Sequence, residues 1–217
     1  DTTLNVCIDS DDYMPDDAVE KILKFWEENQ SEEIAGIAAL DAYESGEVIG
    51  TTFPKDLKTS TSFDMYYKHG VCGDKKFIYK TELTKKFPYP IFEGEKYVGL
   101  AYKYRKIDLT HKLALMNEVV CIVEYMEDGS SRNMLKQYIN NPKGFIFYRK
   151  ENMKNPNGNL KYKFKECVHY VSSNFIIKNR KFIKESPLRL LTVLATPAGF
   201  CLYKYITKKQ DRLKISK

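Results

Sequence analysis

The chain has 217 residues, of which 43% are hydrophobic and 29% charged, a balance that excludes a disordered or fibrous protein and is typical of a globular one. Its five cysteines are far apart and form no CxxC pair, which argues against a disulfide framework and a structural zinc site. Residues 1–50 contain 14 Asp or Glu and two Lys, although the net charge of the whole chain is +6. Such a distribution suits either a metal site beside a phosphate-binding surface or two solvated faces.

Hydrophobic patterning predicts strands and helices that alternate along the chain, which indicates an α/β fold. Strands are predicted over 4–8, 34–40, 47–53, 76–79 and 118–125. Helices are predicted from Pro15, through Leu83, over 97–104, through Ile139 and over 160–177. The last helix is predicted to be amphipathic, with an apolar face made of Leu160, Phe164, Val168, Val171 and Phe175.

The first predicted strand ends in an acidic segment, Asp9-Ser10-Asp11-Asp12. A strand followed by Asp-x-Asp places carboxylates at the rim of the sheet, where open α/β folds bind ligands. Carboxylates there can hold Mg²⁺ or Mn²⁺ together with phosphate oxygens. An EF-hand loop beginning at Asp9 does not fit, because Tyr13 replaces a ligand and Met14 replaces the required glycine. A phosphatase resembling haloacid dehalogenase remains an alternative, although that family continues with a small residue and a threonine.

Four segments in this order resemble family 2 glycosyltransferases with the GT-A fold. Residues 8–15 resemble the metal-binding segment of the family, and residues 73–83 resemble the strand and helix on the acceptor side. Residues 92–97 resemble the acidic segment that supplies the catalytic base. Residues 117–133 resemble the closing strand and the polar loop behind the donor.

The resemblance implies a GT-A-like mixed sheet flanked by helices in residues 1–150, followed by a helical C-terminal extension with a basic tail in residues 151–217. Members of the family begin with strand–helix units that hold the uracil and ribose, whereas here the acidic segment already begins at Asp9. The chain is therefore expected to be the acceptor-side portion, lacking the N-terminal nucleotide-binding part.

The implied activity is that of an inverting, metal-dependent hexosyltransferase in surface polysaccharide synthesis. The sugar would pass from a nucleotide-diphosphate donor, with a UDP-sugar favoured, to a saccharide or lipid-linked acceptor. The resemblance assigns Asp11 to Mn²⁺ or Mg²⁺ and Asp9 to the metal or the ribose, with Asp12 as a supporting carboxylate on the donor side.

Further site residues follow from the same resemblance. Arg132 is assigned to the donor diphosphate, and Ser130 and Ser131 are assigned as hydrogen-bond donors to it, with helix capping as the alternative role of the serines. Glu95 is assigned as the catalytic base. Glu93 is held in reserve, because Gly94 separates two glutamates where the family usually has a Glu-Asp pair.

The alternative class of protein is a basic module without catalysis that binds nucleic acid or a membrane surface. Lysines and aromatic residues interleave over 102–106 and 161–165, a pattern that could serve nucleic acid, but Phe164 falls on the predicted apolar face, so nucleic acid is not expected. Residues 188–206 are apolar apart from Arg189 and Lys204, and they either lie in a membrane interface or close the core of the fold. Because no signal peptide is visible, we expect a cytoplasmic protein, either free or peripheral to the membrane.

Overall fold

The computed structural model describes residues 2–124 and 134–215, with side chains as far as residue 210. It is a mixed α/β protein, as the sequence predicts. The strands are β1 (Leu4–Val6), β2 (Ile34–Ala42), β3 (Thr59–Ser60), β4 (Lys75–Lys80) and β5 (Lys112–Ile122). The helices are α1 (Ala18–Asn29), α2 (Ser62–Tyr67), α3 (Thr81–Lys86), α4 (Ala101–Ile107), α5 (Met134–Asn140), α6 (Pro142–Met153), α7 (Leu160–Ile176), α8 (Phe182–Glu185) and α9 (Arg189–Ile215).

The chain packs into two compact units. The first consists of Asp1–Pro88 and Lys103–Met126, and the second of Tyr89–Tyr102 and Glu127–Lys217. Residue 150, the predicted boundary between a catalytic domain and a C-terminal extension, lies inside α6. The two units describe packing, and the predicted functional division stays a prediction.

The first unit contains a five-stranded sheet with the order β1-β4-β2-β5-β3. Strand β4 is antiparallel to both β1 and β2, and β2 is parallel to β5. Strands β1, β2 and β5 therefore run in one direction and finish at the same edge of the sheet, where β4 begins. All nine residues of β2 are buried, which explains why this strand is apolar throughout apart from Asp41 near its end.

Helix α1 covers one face of this sheet, as its spacing of apolar residues predicts. Ala18, Ile22 and Trp26 are buried and pack in one cluster with Ile37 of β2 and Ile78 of β4. Trp26 is thus a core residue, as the sequence indicates.

Three predicted elements differ most from the structure. Residues 47–53 form no strand, and only Val48 makes an isolated bridge, to Ala42. Strand β5 begins at Lys112 rather than at residue 118, because residues 113–116 are buried between two neighbouring strands in spite of their helix-forming side chains. Helix α4 begins at Ala101, four residues later than predicted, and continues to Ile107.

Two loops of the first unit cross backbone to backbone at a pair of glycines. Gly50 and Gly73 have φ angles of 76° and 78°, which L side chains rarely adopt. A Cβ atom on Gly50 would lie 2.2 Å from the carbonyl oxygen of Cys72, and one on Gly73 would lie 2.4 Å from that of Ile49. The Nζ atom of Lys75 donates to both carbonyl groups, at 3.0 Å and 2.9 Å, and so joins the loops where β4 begins.

In the second unit, α7 packs against α6 and α9, but its buried face differs from the predicted one. Leu160 and Phe164 are exposed, while Glu166, Tyr170 and Asn174 are buried. The prediction of a helix is confirmed, and the prediction that these two apolar residues face the core is wrong. The spacing of apolar residues does not predict the buried face of α7, because the buried polar side chains have hydrogen-bond partners. These partners remove most of the free-energy cost of burying polar groups.

The partner of Glu166 is Arg149 of α6. One guanidinium nitrogen of Arg149 donates to both carboxylate oxygens, at 2.9 Å and 3.2 Å, and Asn152 donates to one of them at 3.0 Å. Burial lowers the pKa of Arg149, but the Glu166 carboxylate more than offsets that effect and raises it above the usual range. This ion pair is the polar centre of the helical unit.

Candidate functional site

The acidic segment lies at the edge of the sheet where β1, β2 and β5 end. The backbone N–H of Asp12 donates to the carbonyl oxygen of Asp9 at 3.0 Å, which closes a turn. Tyr13 then exchanges two backbone hydrogen bonds with Ile122 at the end of β5, at 3.1 Å and 2.7 Å. The turn is thereby tied to the sheet, and Asp9 and Asp11 are exposed on it.

Asp12 faces the interior, in contrast to its two neighbours. Its Oδ2 atom lies 3.5 Å from Nζ of Lys76, and the same ammonium group lies 3.9 Å from Oδ1 of Asp41. All three side chains are nearly buried. Because β4 pairs with both β1 and β2, its first residues lie beside the ends of both strands, which explains why one lysine meets two carboxylates.

Asp41 is the least satisfied member of this cluster. Only 2% of the residue is exposed, and among the described residues its Oδ1 atom accepts no hydrogen bond. Burial raises the pKa of Asp41 to about 6, against the opposing effect of Lys76 and with a further increase from Asp74 and Asp12. Burial alone lowers the pKa of Lys76, but the Asp41 carboxylate and other neighbours outweigh it and raise that pKa.

The chemistry of the acidic turn fits a divalent metal that is shared with a substrate. Within residues 2–124 and 134–210, no group of three or more His, Cys, Asp or Glu side chains is arranged to hold a metal ion. Magnesium sites of nucleotide-using enzymes commonly take one or two carboxylates and complete the shell with phosphate and water oxygens. Asp9 and Asp11, exposed on one turn, offer such carboxylates, whereas Asp12 is engaged by Lys76. The metal assignment itself stays a prediction.

The two glutamates assigned to catalysis belong to the second unit. Glu93 is exposed. The carboxylate of Glu95 accepts hydrogen bonds from the backbone N–H groups of Lys143 at 2.9 Å and Gly144 at 2.7 Å. These are amides of the first turn of α6, so Glu95 satisfies N–H groups that have no partner inside the helix.

This capping role does not test whether Glu95 also acts as a base, and that assignment stays a prediction. The assignments of Ser130, Ser131 and Arg132 to the donor fall outside the described residues. Sequence reasoning missed Asp41 and Lys76 as members of the site. In the sequence, Asp41 is a charged residue at the end of one buried strand, and Lys76 is a charged residue at the start of another. This pattern predicts a contact only when the two strands are known to be neighbours.

The fold of the chain is similar to that of a GT-A-type glycosyltransferase. That glycosyltransferase is Staphylococcus aureus TarS, in a crystal structure of its residues 1–349 in complex with UDP-GlcNAc. The TM-score is 0.53 and the sequence identity 14%, and the match covers 98% of this chain and 68% of the TarS chain. At this identity the likeness shows the fold alone. No protein-family model matches the chain, and no curated protein matches it.

Proposed function

We propose that this protein is a glycosyltransferase that moves a sugar from a nucleotide-diphosphate donor, preferably a UDP-sugar, to a hydroxyl group of a saccharide or lipid-linked acceptor. The observation that carries this proposal is the exposed turn with Asp9 and Asp11 at the end of β1, in a fold similar to that of a protein bound to UDP-GlcNAc. Family 2 membership, inversion at the anomeric carbon and a place in surface polysaccharide synthesis are parts of the same proposal.

Each residue of the acidic segment has a separate task in the proposed reaction. Asp11, with Asp9, would hold Mn²⁺ or Mg²⁺, which when bound neutralises charge on the departing diphosphate. Asp12 and Lys76 would position the turn, since their contact fixes one end of it in the sheet. The exposed side of the turn is then free to meet the donor.

The proposed base is Glu95, with Glu93 as its alternative. An inverting displacement needs a carboxylate that removes the proton from the acceptor hydroxyl as the new bond forms. A carboxylate has about four acceptor positions, and the two amides of α6 occupy only part of them. Glu95 could therefore hold its orientation through the helix and still accept a proton.

The first experiment replaces the proposed metal ligand in the complete protein. In Asp11→Ala, the release of UDP from UDP-GlcNAc in the presence of Mn²⁺ should fall by at least about 10²-fold, because the leaving group loses its electrophile. Asp16→Ala removes an exposed carboxylate just after the turn and should keep wild-type activity. A wild-type rate of UDP release in Asp11→Ala, or in the wild-type protein with excess chelator, would contradict the metal assignment.

The same assay assigns the base. Glu95→Gln should slow turnover by roughly 10²–10⁴-fold. It should also lose about 1 kcal/mol of stability, because an amide cannot accept from both N–H groups of α6. Melting temperatures measure the loss of stability separately, and the assay is to be run well below the transition of both proteins. If Glu93→Gln has the large kinetic effect instead, the catalytic role belongs to that residue.

A further inference from the structure

Helix α9 exposes a stripe of large apolar side chains. Leu190 and Leu194 are 85% and 70% exposed, and Val193, Phe200 and Tyr205 are also exposed. Within the helix Leu190, Val193, Leu194, Pro197, Cys201 and Tyr205 recur at intervals of three and four residues, which places them on one side. A contiguous apolar surface of this kind marks an interaction site rather than ordinary surface variation.

The opposite side of α9 is already covered. Thr192, Ala195, Gly199 and Ile206 are buried, and Gly199 fits closely against Val171 of α7. The stripe is therefore not the face that closes the core, which was one of the two alternatives for this segment. The core-facing side and the exposed stripe together account for the high apolar content of residues 188–206.

Positive charge continues the stripe toward the C-terminus. Lys204 and Lys208 follow Cys201 at intervals of three and four, so they extend the same side of the helix. The Nζ atom of Lys204 lies 5.4 Å from the Phe200 ring, and that of Lys209 lies 5.8 Å from the Tyr205 ring. Lysines that rest on aromatic rings have an apolar stem beside an apolar surface and a charged end that reaches water or phosphate.

The wider segment has the same charge bias. Residues 178–210 contain eight Lys or Arg and one Asp or Glu. Anionic headgroups attract such a segment, while its apolar side chains enter the boundary between headgroups and acyl chains. This combination of apolar stripe and excess cation is complementary to an anionic membrane surface.

We propose that the exposed stripe of α9 docks on the surface of a membrane that contains anionic lipids, with the helix lying in the plane of the interface. Leu190, Val193 and Leu194 enter the interface, and Lys204 and Lys208 contact lipid phosphates. The inference does not rest on the proposed transferase activity, because lipid binding is measured without any donor or acceptor.

A membrane-spanning helix is the first competing arrangement. Among the described residues, Arg189–Gln210 is one stretch that by length and composition alone could cross a bilayer, and 22% of it is buried in the protein. Spanning would surround the helix with lipid, whereas one side of α9 packs on α7 and Lys204 lies within the stretch. An arrangement with one apolar side in the interface keeps that packing and leaves the lysine at the headgroups.

The test is co-sedimentation of the full chain with vesicles made of equal parts phosphatidylcholine and phosphatidylglycerol. The wild-type protein should bind these vesicles, bind pure phosphatidylcholine poorly, and dissociate in high salt. Leu190→Glu/Leu194→Glu should weaken binding by more than about a hundredfold, because two apolar side chains no longer enter the interface. Lys204→Gln/Lys208→Gln should weaken it by about fivefold for each lysine.

The matched control is Val19→Glu/Leu23→Glu, which places two glutamates at exposed apolar positions of α1. This control should bind vesicles like the wild-type protein. The control and Leu190→Glu/Leu194→Glu should both keep the wild-type melting temperature, because the replaced side chains are exposed.

Equal binding by Leu190→Glu/Leu194→Glu and the wild type overturns the proposal, as does failure of the wild type to bind. Extraction by detergent but not by salt would show a spanning helix instead. A wild-type dimer that Leu190→Glu/Leu194→Glu converts to a monomer, without vesicle binding, would assign the stripe to a second copy of the chain.

Discussion

Each unit of the molecule contains a buried ion pair, and the two differ in how well the carboxylate is satisfied. In the helical unit, Glu166 accepts from Arg149 at both oxygens and from the side-chain amide of Asn152 at one of them. In the sheet unit, Lys76 lies 3.9 Å from Asp41, which is longer than a hydrogen bond, and within the described part of the chain one oxygen of Asp41 has no hydrogen-bond donor. Asp41 consequently has a pKa near 6, driven by its burial.

The comparison separates two uses of buried charge. A carboxylate with paired oxygens adds to the definition of the fold, because removing either partner leaves an uncompensated ion. A buried carboxylate with an oxygen that accepts no hydrogen bond from the described residues, such as Asp41 at the end of β2, is expected to lower the free energy of unfolding. Groups with strongly shifted pKa values are concentrated at functional sites. The pair in the helical unit is therefore expected to be structural, and the cluster at the sheet edge to belong to the proposed site.

The largest expected effect breaks the satisfied pair. Glu166→Gln removes the charge opposite Arg149 and should lower the free energy of unfolding by about 3–5 kcal/mol, because the guanidinium stays buried without a counterion. Chemical denaturation at neutral pH measures the change. Glu185→Gln, at an exposed position of the same unit, is the control and should differ little from the wild type. A loss below about 1 kcal/mol in Glu166→Gln would contradict the structural role.

An intermediate effect is expected from removing the cation of the sheet edge. Lys76→Met leaves two buried carboxylates without their lysine and should cost about 2 kcal/mol at neutral pH. The cost should shrink as pH falls, since Asp41 can then take up a proton and lose its charge. Thermal melts from pH 5 to pH 8 measure this trend. A loss of stability that does not change with pH would mean that lost packing, rather than charge, is responsible.

The smallest effect at neutral pH is expected for Asp41→Asn. The folded-state pKa of Asp41 is raised from its usual 3.8 to about 6, so the folded protein binds this proton more tightly than the unfolded chain. Wild-type stability should therefore fall as pH rises through that interval, by up to about 3 kcal/mol. Asp41→Asn should lack this fall, because an amide has no proton to lose in this range. The same pH slope in both proteins would place the titration elsewhere.

Much of the fold follows from local pattern. The run of apolar residues in β2 and the spacing of Ala18, Ile22 and Trp26 in α1 predict those elements correctly. The strand is buried along its whole length, and in the helix burial repeats with the helical period. Residues 113–116 are not predicted as a strand, because Leu, Ala and Met favour helices in an isolated segment. They form a strand here because they lie between two neighbouring strands. Leu160 is predicted to be buried but is exposed, because the exposure of a residue on α7 depends on which neighbouring elements cover that helix.

The candidate site is predictable only in its local part. The acidic turn follows directly from a strand that ends in Asp9-Ser10-Asp11, and the structure has it at the end of β1. The meeting of Lys76 with Asp41 depends on the pairing of β4 with β2, and the capping of α6 by Glu95 joins residues 48 positions apart. Contacts set by tertiary arrangement leave no periodic signal in the sequence.

The crossing of loops at Gly50 and Gly73 has a consequence for how this chain can evolve. A side chain at either position would collide with main-chain atoms of the other loop, not with a side chain that could be trimmed in response. No second substitution at the partner glycine can compensate for the first, so the two sites are constrained without co-varying. Correlated-mutation methods, which detect contacts through compensating pairs, would therefore find no signal for one of the closest approaches in the sheet unit.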